Sequence, residues 1–220
     1  MRAHPTPLVL AIAGGTGAGK TAIVRALTKR IGTSEIVVLD QDSYYKGQTE
    51  VLDPVDADNF DHPARIDHDL LLEQLDALLR WQPIQKPRYD FATHSRLDQT
   101  DRIEGANTIV IEGLFAYWDP RIRSRSHCNI FVDAGADLRL IRRLQRDLKE
   151  RSRTTEGILE QYLATVRPMH TKHVEPLKEL ADVIISNEED IETGIDQLVS
   201  FLSLQAGTKS AARISRGTSS

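Results

Sequence analysis

The sequence predicts an α/β fold in which helices cover both faces of a parallel sheet. Three observations carry that prediction. Continuous apolar runs of strand length recur, as in LVLAIA (8–13), TIVIEG (108–113) and NIFVD (129–133). Such runs suit strands buried on both faces. Stretches with helical apolar spacing separate them, the order expected of strand–helix–strand units. The first run leads into glycines and others end in an acid. That gathers polar groups beyond the carboxyl ends of strands, where open α/β sheets bind ligands.

The elements follow in chain order. Leu8 to Ala13 is the first strand. Thr21 to Ile31 reads as a helix, with Ile23, Val24, Leu27 and Ile31 on one side and Gly32 just beyond its end. IVVLD (36–40) is the next strand. Asp67 to Arg80 is a helix with Asp67 as N-cap and an apolar stripe of Leu71, Leu72, Leu75, Leu78 and Leu79. The segment 83–104 breaks the alternation. Its prolines and its polar–aromatic mixture predict an inserted hairpin or flap. After the strands ending at Gly113 and Asp133, residues 137–150 and 155–166 are helical, VII (183–185) is a short strand and Ile191 to Leu202 a closing helix. Thr16, Asp40, Asp42, Glu112 and Asp133 all fall at or just past strand ends.

Composition narrows the function. At 220 residues and 40% hydrophobic the chain can bury one core, so residues 1–205 read as a single domain. A net charge of −4 gives no electrostatic reason to expect nucleic acid. Cys128 is the only cysteine, which excludes an internal disulfide and a thiolate metal cluster. The opening apolar run is too short for a signal peptide or a membrane span, so a soluble cytoplasmic protein is expected. The tail 206–220, small, polar and basic, is expected to be disordered.

The strongest motif is 14-GGTGAGKT-21, which matches G-x-x-x-x-G-K-[ST] with a strand before it and a helix after it. Gly14, Gly15, Thr16, Gly17, Ala18 and Gly19 can turn backbone N–H groups inward around phosphate. Lys20 can reach the β- and γ-phosphates, and the Thr21 hydroxyl can hold Mg²⁺ at the positive end of a helix. A glycine turn that binds nothing is the bland alternative, and the strand–loop–helix order argues against it. The motif therefore predicts a nucleoside triphosphate site. It leaves open a switch GTPase, a mechanical ATPase and a kinase of a small metabolite. There is no NKxD guanine-reading sequence and no second large domain to drive. The kinase reading needs an acceptor pocket, a base and cations over the phosphates.

Candidates for all three occur in order: QDSYY, NFDHP, PRYDFATHSR, IEGL, IFVDA, RRLQRD, ERSRT, QYLATVRPMH and VEPLKELADVII. Together, from about Leu8 to Leu202, they resemble the uridine-cytidine kinase family of pyrimidine salvage. The resemblance implies a P-loop NTPase fold of the nucleoside-kinase kind: a five-stranded parallel sheet, helices on both faces and a small β-hairpin over the substrate. It implies transfer of the γ-phosphate of ATP, or GTP, to the 5′-hydroxyl of uridine or cytidine, giving UMP or CMP, with Mg²⁺ as cofactor. Tetramers are usual among similar proteins.

Residue roles carry over by position. The resemblance places Asp42 beside the 5′-hydroxyl, as proton acceptor or as the group that orients the hydroxyl and helps hold Mg²⁺; Asp40, nearer the strand, is the other candidate. Glu112 resembles the acidic Mg²⁺ partner. Asp61 matches the acceptor of the ribose 2′- and 3′-hydroxyls. Phe60 stacks or packs against the base, and Tyr45 either lines the sugar pocket or is a buried tyrosine at a core edge. Tyr89 supports the pyrimidine and His94 bonds its 4-substituent. An imidazole that can donate or accept serves both a carbonyl and an amine. In 137–166, an arginine-rich lid, Arg139, Arg143 and Arg146 share one helical face and Leu140, Leu144 and Leu148 another. Arg143 and Arg153 match nucleoside-side contacts, Arg146 and Arg151 the phosphate contacts, and Gln161 a residue reaching the base. His170 and His173 are read as non-catalytic. The chain departs from the family pattern at Ser152, where glycine is common, and at 186-SNEEDI-191, where Pro-Arg-Gly usually follows the strand; Asp190 falls at an ATP contact. The other readings are a related kinase of phosphoribulose or pantothenate, against which Tyr89 and His94 favour a flat heterocycle, and a non-catalytic nucleotide-binding regulator, against which Lys20, Thr21, Asp42 and Glu112 stand intact.

Overall fold

The computed structural model describes residues 4–47, 59–91, 93–150, 153–188 and 191–202. The predicted positions Arg151, Ser152 and Asp190 and the tail 206–220 lie outside them.

The chain runs β1 (Leu8–Gly14), α1 (Lys20–Ile31), β2 (Ile36–Asp40), α2 (His68–Leu79), β3 (Ile84–Asp90), β4 (Ser95–Ile103), β5 (Thr108–Glu112), β6 (Cys128–Asp133), α3 (Ala136–Glu150), α4 (Thr155–Gln161), β7 (Val183–Ser186) and a closing helix α5 over 192–202. Five strands form a sheet in the order β2-β5-β1-β6-β7, all neighbours parallel. β1 is central and buried along its whole length, which is why its sequence is continuously apolar. Alternate residues serve opposite faces. Val9, Ala11 and Ala13 pack with Leu71, Leu75 and Leu78 of α2. Leu10 and Ile12 pack with Ile23, Val24 and Leu27 of α1 and Leu198 of α5. Each fully buried Leu or Ile contributes about 1.5–3 kcal/mol. The register sets Asp40 level with Glu112, and Ile12, just before the glycine loop, level with both, so the acids and the loop meet at the carboxyl end of the sheet.

Local signals set the ends of the helices. The Asp67 side chain accepts from Leu70 N at 3.0 Å and caps α2. Gly32 closes α1 at φ 105°. The expected flap is the antiparallel pair β3–β4, with an irregularity between Pro87 and Arg88, where proline supplies no N–H to the ladder. Gln74 of α2 fastens it by donating to Gln85 O at 2.8 Å, and Tyr44 OH donates to the same side chain's Oε1 at 2.7 Å. One expectation changes. Residues 155–166 do not form one regular helix: after Gln161 the chain winds through wider π turns at Tyr162–Val166 and His170–Val174. Pro168 lacks the N–H that an α-helix would return to Ala164, and the wider turns absorb that loss. No described helix is long and apolar enough to cross a membrane.

Candidate active site

The glycine loop joins β1 to α1. Gly17 at φ 76° and Gly19 at φ 95° hold left-handed conformations that favour glycine, and a Cβ on Gly17 would strike the Arg139 carbonyl. The loop is braced from behind. Arg139 Nε donates to Ala134 O at 3.0 Å, and Asn187 Nδ2 donates to Ala18 O at 2.7 Å. Lys20 folds back, donating to Gly14 O at 3.0 Å and Gly15 O at 3.1 Å. Burial lowers its pKa; the charges of Glu112 and Asp42 oppose that, and Arg146 and Arg139 add to it. A buried, underpaired ammonium with acids nearby is poised to trade carbonyl partners for phosphoryl oxygens.

Two acids face this lysine. Glu112 accepts from Thr21 Oγ1 at 2.8 Å, and burial raises its pKa against the pull of Lys20 and Thr21. Among the described residues no three His, Cys, Asp or Glu side chains cluster as a metal cage. A hydroxyl and one carboxylate suit Mg²⁺, which keeps several waters and takes phosphate oxygens. The donor set fits the ion, and a dication would relieve the cost of burying an ionised Glu112.

Asp42 lies on a 3₁₀ turn, Gln41–Tyr44, just past β2, and is exposed. Its charge acts on Lys20, on Glu112 and on Asp61. The neighbouring Gln41, absent from the sequence-level candidates, sets that position: its buried side chain accepts from Phe115 N at 2.8 Å and ties the turn to the loop after β5. Asp40 is engaged elsewhere, accepting from Ser43 Oγ and pairing with Lys86 of the hairpin. Asp133 is paired with Lys178 Nζ at 2.5 Å.

Asp61 is 8% exposed. Burial raises its pKa, and Arg143 is the strongest opposing charge. It shares a small cleft with Thr16, Leu114, Val166, His170 and Val174. His170 lies near Arg139 Nη2 at 3.1 Å and Glu175 Oε2 at 2.9 Å; burial and Arg139's charge lower its pKa, against the pull of Glu175.

The aromatic residues converge under the hairpin. Tyr45 meets Phe60 at 5.7 Å, Tyr89 at 5.4 Å and Phe91 at 5.9 Å between ring centroids. Its hydroxyl donates to Phe60 O at 2.8 Å, so Tyr45 acts as a buttress for Phe60. Phe60 and His94 pack edge-on at 4.7 Å. His94 itself holds φ 51°, an uncommon conformation for a residue other than glycine. Such backbone costs of order 1 kcal/mol and clusters at functional sites.

Two arginines of α3 turn inward, while its leucines are half-buried or exposed. Arg139 and Arg143 are buried, whereas Ile141 and Leu148 are exposed. The organiser, not anticipated from sequence, is the fully buried Asp147. It accepts from Arg146 Nη2 at 2.8 Å and has Arg143 Nε and Arg153 Nη1 each at 3.6 Å. Gln161 Oε1 receives Arg143 Nη2 at 2.9 Å and Arg153 Nη1 at 2.7 Å, while Arg143 Nη1 reaches Thr16 Oγ1 at 3.2 Å. Arg143, Arg153 and Gln161 thus form one group beside Asp61 and the phosphate loop, and Arg146 acts on Lys20.

A glycine loop with its lysine on a parallel sheet, a Thr21–Glu112 pair suited to a cation and a small cleft beside the loop at Asp61 are the features of a P-loop kinase. The chain belongs to the phosphoribulokinase/uridine kinase family, whose model matches residues 9–193. It is 45% identical over 194 residues to the uridine kinase of Chloroflexus aggregans (88% of this chain, 93% of that one). It is 45% identical over 201 residues to the uridine kinase of Deinococcus deserti (90% and 96%). Among solved structures, a possible uridine kinase from Bacillus stearothermophilus superposes with TM-score 0.61 over 83% of this chain and 90% of that one, at 16% identity, a likeness of fold.

Proposed function

We propose that this chain is a uridine/cytidine kinase, transferring the γ-phosphate of ATP or GTP to the 5′-hydroxyl of the nucleoside. The observation that carries the reading is the position of Asp42: one carboxylate within electrostatic reach of the phosphate-loop Lys20 on one side and of Asp61 on the other. A sugar held at Asp61 by its 2′- and 3′-hydroxyls would present its primary alcohol between them. The relatives named uridine kinase, matched along nearly nine-tenths of the chain, support the same assignment.

The division of labour is the one the family resemblance implies, and the contacts of Lys20, Thr21, Glu112, Arg143 and Gln161 support it. Asp42 orients the 5′-hydroxyl and accepts its proton as the oxygen–phosphorus bond forms. A loose phosphoryl transition state demands little early proton removal, so orienting the hydroxyl matters more than basicity. Lys20 leaves the Gly14 and Gly15 carbonyls for phosphoryl oxygens. Thr21 and Glu112 would hold Mg²⁺, with Asp42 as a further ligand, and the ion would supply positive charge against the phosphoryl oxygens. By position in the family pattern, Arg146 and Arg151 are assigned to the phosphates and Asp190 to the donor nucleotide. Arg143, Arg153 and Gln161 secure the nucleoside, whose base meets Phe60, Tyr89 and His94. Closure of 137–166 only over bound nucleoside keeps water from competing as acceptor. Family analogy extends the reading to a cytoplasmic homo-oligomer, a tetramer as among similar proteins, without nucleic acid or membrane as partner.

A coupled assay with ATP, Mg²⁺ and uridine, cytidine, thymidine, ribulose 5-phosphate or no acceptor tests the reading. Uridine and cytidine are expected to be turned over and the other conditions to stay near background. Asp42→Asn is expected to lower kcat at least about a hundredfold while nucleoside affinity changes little. Turnover of ribulose 5-phosphate alone, or of ATP at equal rate without acceptor, would overturn it.

A further inference from the structure

Arg65 lies in none of the roles above. It follows the NFDHP stretch on a short 3₁₀ turn, Pro63–Arg65, and is completely buried. Its guanidinium sits over the Phe60 ring, with Cζ 4.6 Å from the centroid. None of Nε, Nη1 and Nη2 makes a hydrogen bond of normal geometry, and the same holds for Tyr89 Oη, although the guanidinium and the phenol lie close enough for a weak hydrogen bond between them to act on the phenol. The two are nonetheless neighbours: Arg65 is the charge acting most strongly on the Tyr89 phenol, against the burial that raises its pKa. A buried guanidinium with unused donors costs stability unless something accepts from it. Phe60, the ring it covers, is also the ring packed on His94.

Its location follows from the rings around it. Arg65 covers Phe60, Phe60 packs on His94 of the hairpin, and Tyr45 bridges Phe60 to Tyr89, so the guanidinium stands among the aromatic residues that the nucleoside reading assigns to the base, next to Tyr89. On a pyrimidine nucleoside the ring position farthest from the sugar is the 4-position. There uridine carries a carbonyl and cytidine an amine. A guanidinium has five donors and no acceptor. It completes a carbonyl and opposes an amine, donor against donor.

We propose that Arg65 is a specificity-determining residue of the base pocket, presenting donors with Tyr89 to a 4-carbonyl and selecting uridine over cytidine. The inference rests on the nucleoside kinase reading above. His94 alone would accept both bases, so the preference is set by Arg65.

The test compares kcat/KM for uridine and cytidine in the wild type and in Arg65→Met, Arg65→Gln and Arg65→Lys. A mismatched buried donor corresponds to about a ten- to hundredfold preference. The wild type is expected to favour uridine by at least about tenfold on that scale. Met brings the ratio near parity, chiefly through a higher KM for uridine. Gln, which offers an amide oxygen, moves it further toward cytidine, and Lys, which keeps a cationic donor, retains most of the preference. Thermal melting and binding of a fluorescent ATP analogue report whether each variant is folded; if Met fails to fold, Gln and Lys decide. A variant that melts differently but keeps the wild-type ratio makes Arg65 a packing residue and overturns the inference, as does a wild type without preference. A wild type that phosphorylates neither nucleoside removes the kinase reading itself, and is recognised before any variant is made.

Discussion

Asp61 offers a test in which function and stability move in opposite directions. The perturbation is Asp61→Asn. At 8% exposure the carboxylate shares its acceptor sites little with bulk water, so each hydroxyl bonded to the charged group is worth about 1.5–3 kcal/mol, or tenfold per 1.4 kcal/mol. Asparagine keeps one acceptor oxygen and turns the other into a donor. One charged hydrogen bond is lost, and kcat/KM for uridine is expected to fall about 10- to 100-fold. 2′-Deoxyuridine, which already lacks one of the two bonds, should lose far less, so the ratio between the substrates collapses. Stability moves the other way. Burial raises the folded-state pKa of Asp61 above its unfolded value despite the opposing charge of Arg143. The protonated form is the one the fold prefers. That contribution is complete below the ordinary carboxylate pKa of ~4 and is lost as pH rises through the raised value. The neutral amide should therefore melt above the wild type at pH 7.5, and the difference should vanish as pH falls toward the ordinary carboxylate range. Parallel assays of the two nucleosides and melting curves across pH decide the matter. Equal losses for both nucleosides, or a lower melting temperature at pH 7.5, would refute the reasoning.

Three further outcomes follow from other contacts. Because burial raises the pKa of Glu112 and only the ionised form binds a cation well, the Mg²⁺ concentration for half-maximal activity should rise as pH falls through that value; Glu112→Gln should raise the requirement about tenfold and flatten its pH dependence. A pH-dependent requirement unchanged in the variant would separate Glu112 from the metal. Tyr45→Phe deletes the bond to the Phe60 carbonyl and should cost about 1 kcal/mol, a melting shift of roughly 2–4 °C, with a higher uridine KM from the loosened Phe60; a shift without any KM change would make the tyrosine purely structural. Asp147→Ala strips a fully buried carboxylate from among Arg143, Arg146 and Arg153 and should cost about 3–5 kcal/mol in urea unfolding; a loss below about 1 kcal/mol would mean that the arginines find other partners as good.

Much of this molecule is written in short-range pattern. The apolar runs at 8–13, 36–40 and 108–113, the glycines before Lys20 and the cap at Asp67 identify the strands, the phosphate cradle and a helix start. Each depends on neighbours within a few residues: side-chain alternation, left-handed backbone at Gly17 and Gly19, a carboxylate three residues from the N–H it caps. Strand-end positions likewise marked Asp42 and Glu112, and the family resemblance carried by NFDHP marked Asp61. Packing between distant segments settled what periodicity left open. It gave Asp40 to Lys86 and left Asp42 toward Lys20, through contacts 46 residues apart and a turn anchored by Gln41 on Phe115. It turned the arginine face of α3 inward onto Asp147, although a charged helical face by itself reads as solvated. It set Asn187, from a stretch that had marked only a departure from the family pattern, against Ala18 of the loop. And it buried Arg65 against Phe60 and Tyr89. Whether a charge faces water or the interior depends on which strangers in the chain lie opposite it, and that is fixed only when the sheet, the hairpin and the helices close on one another.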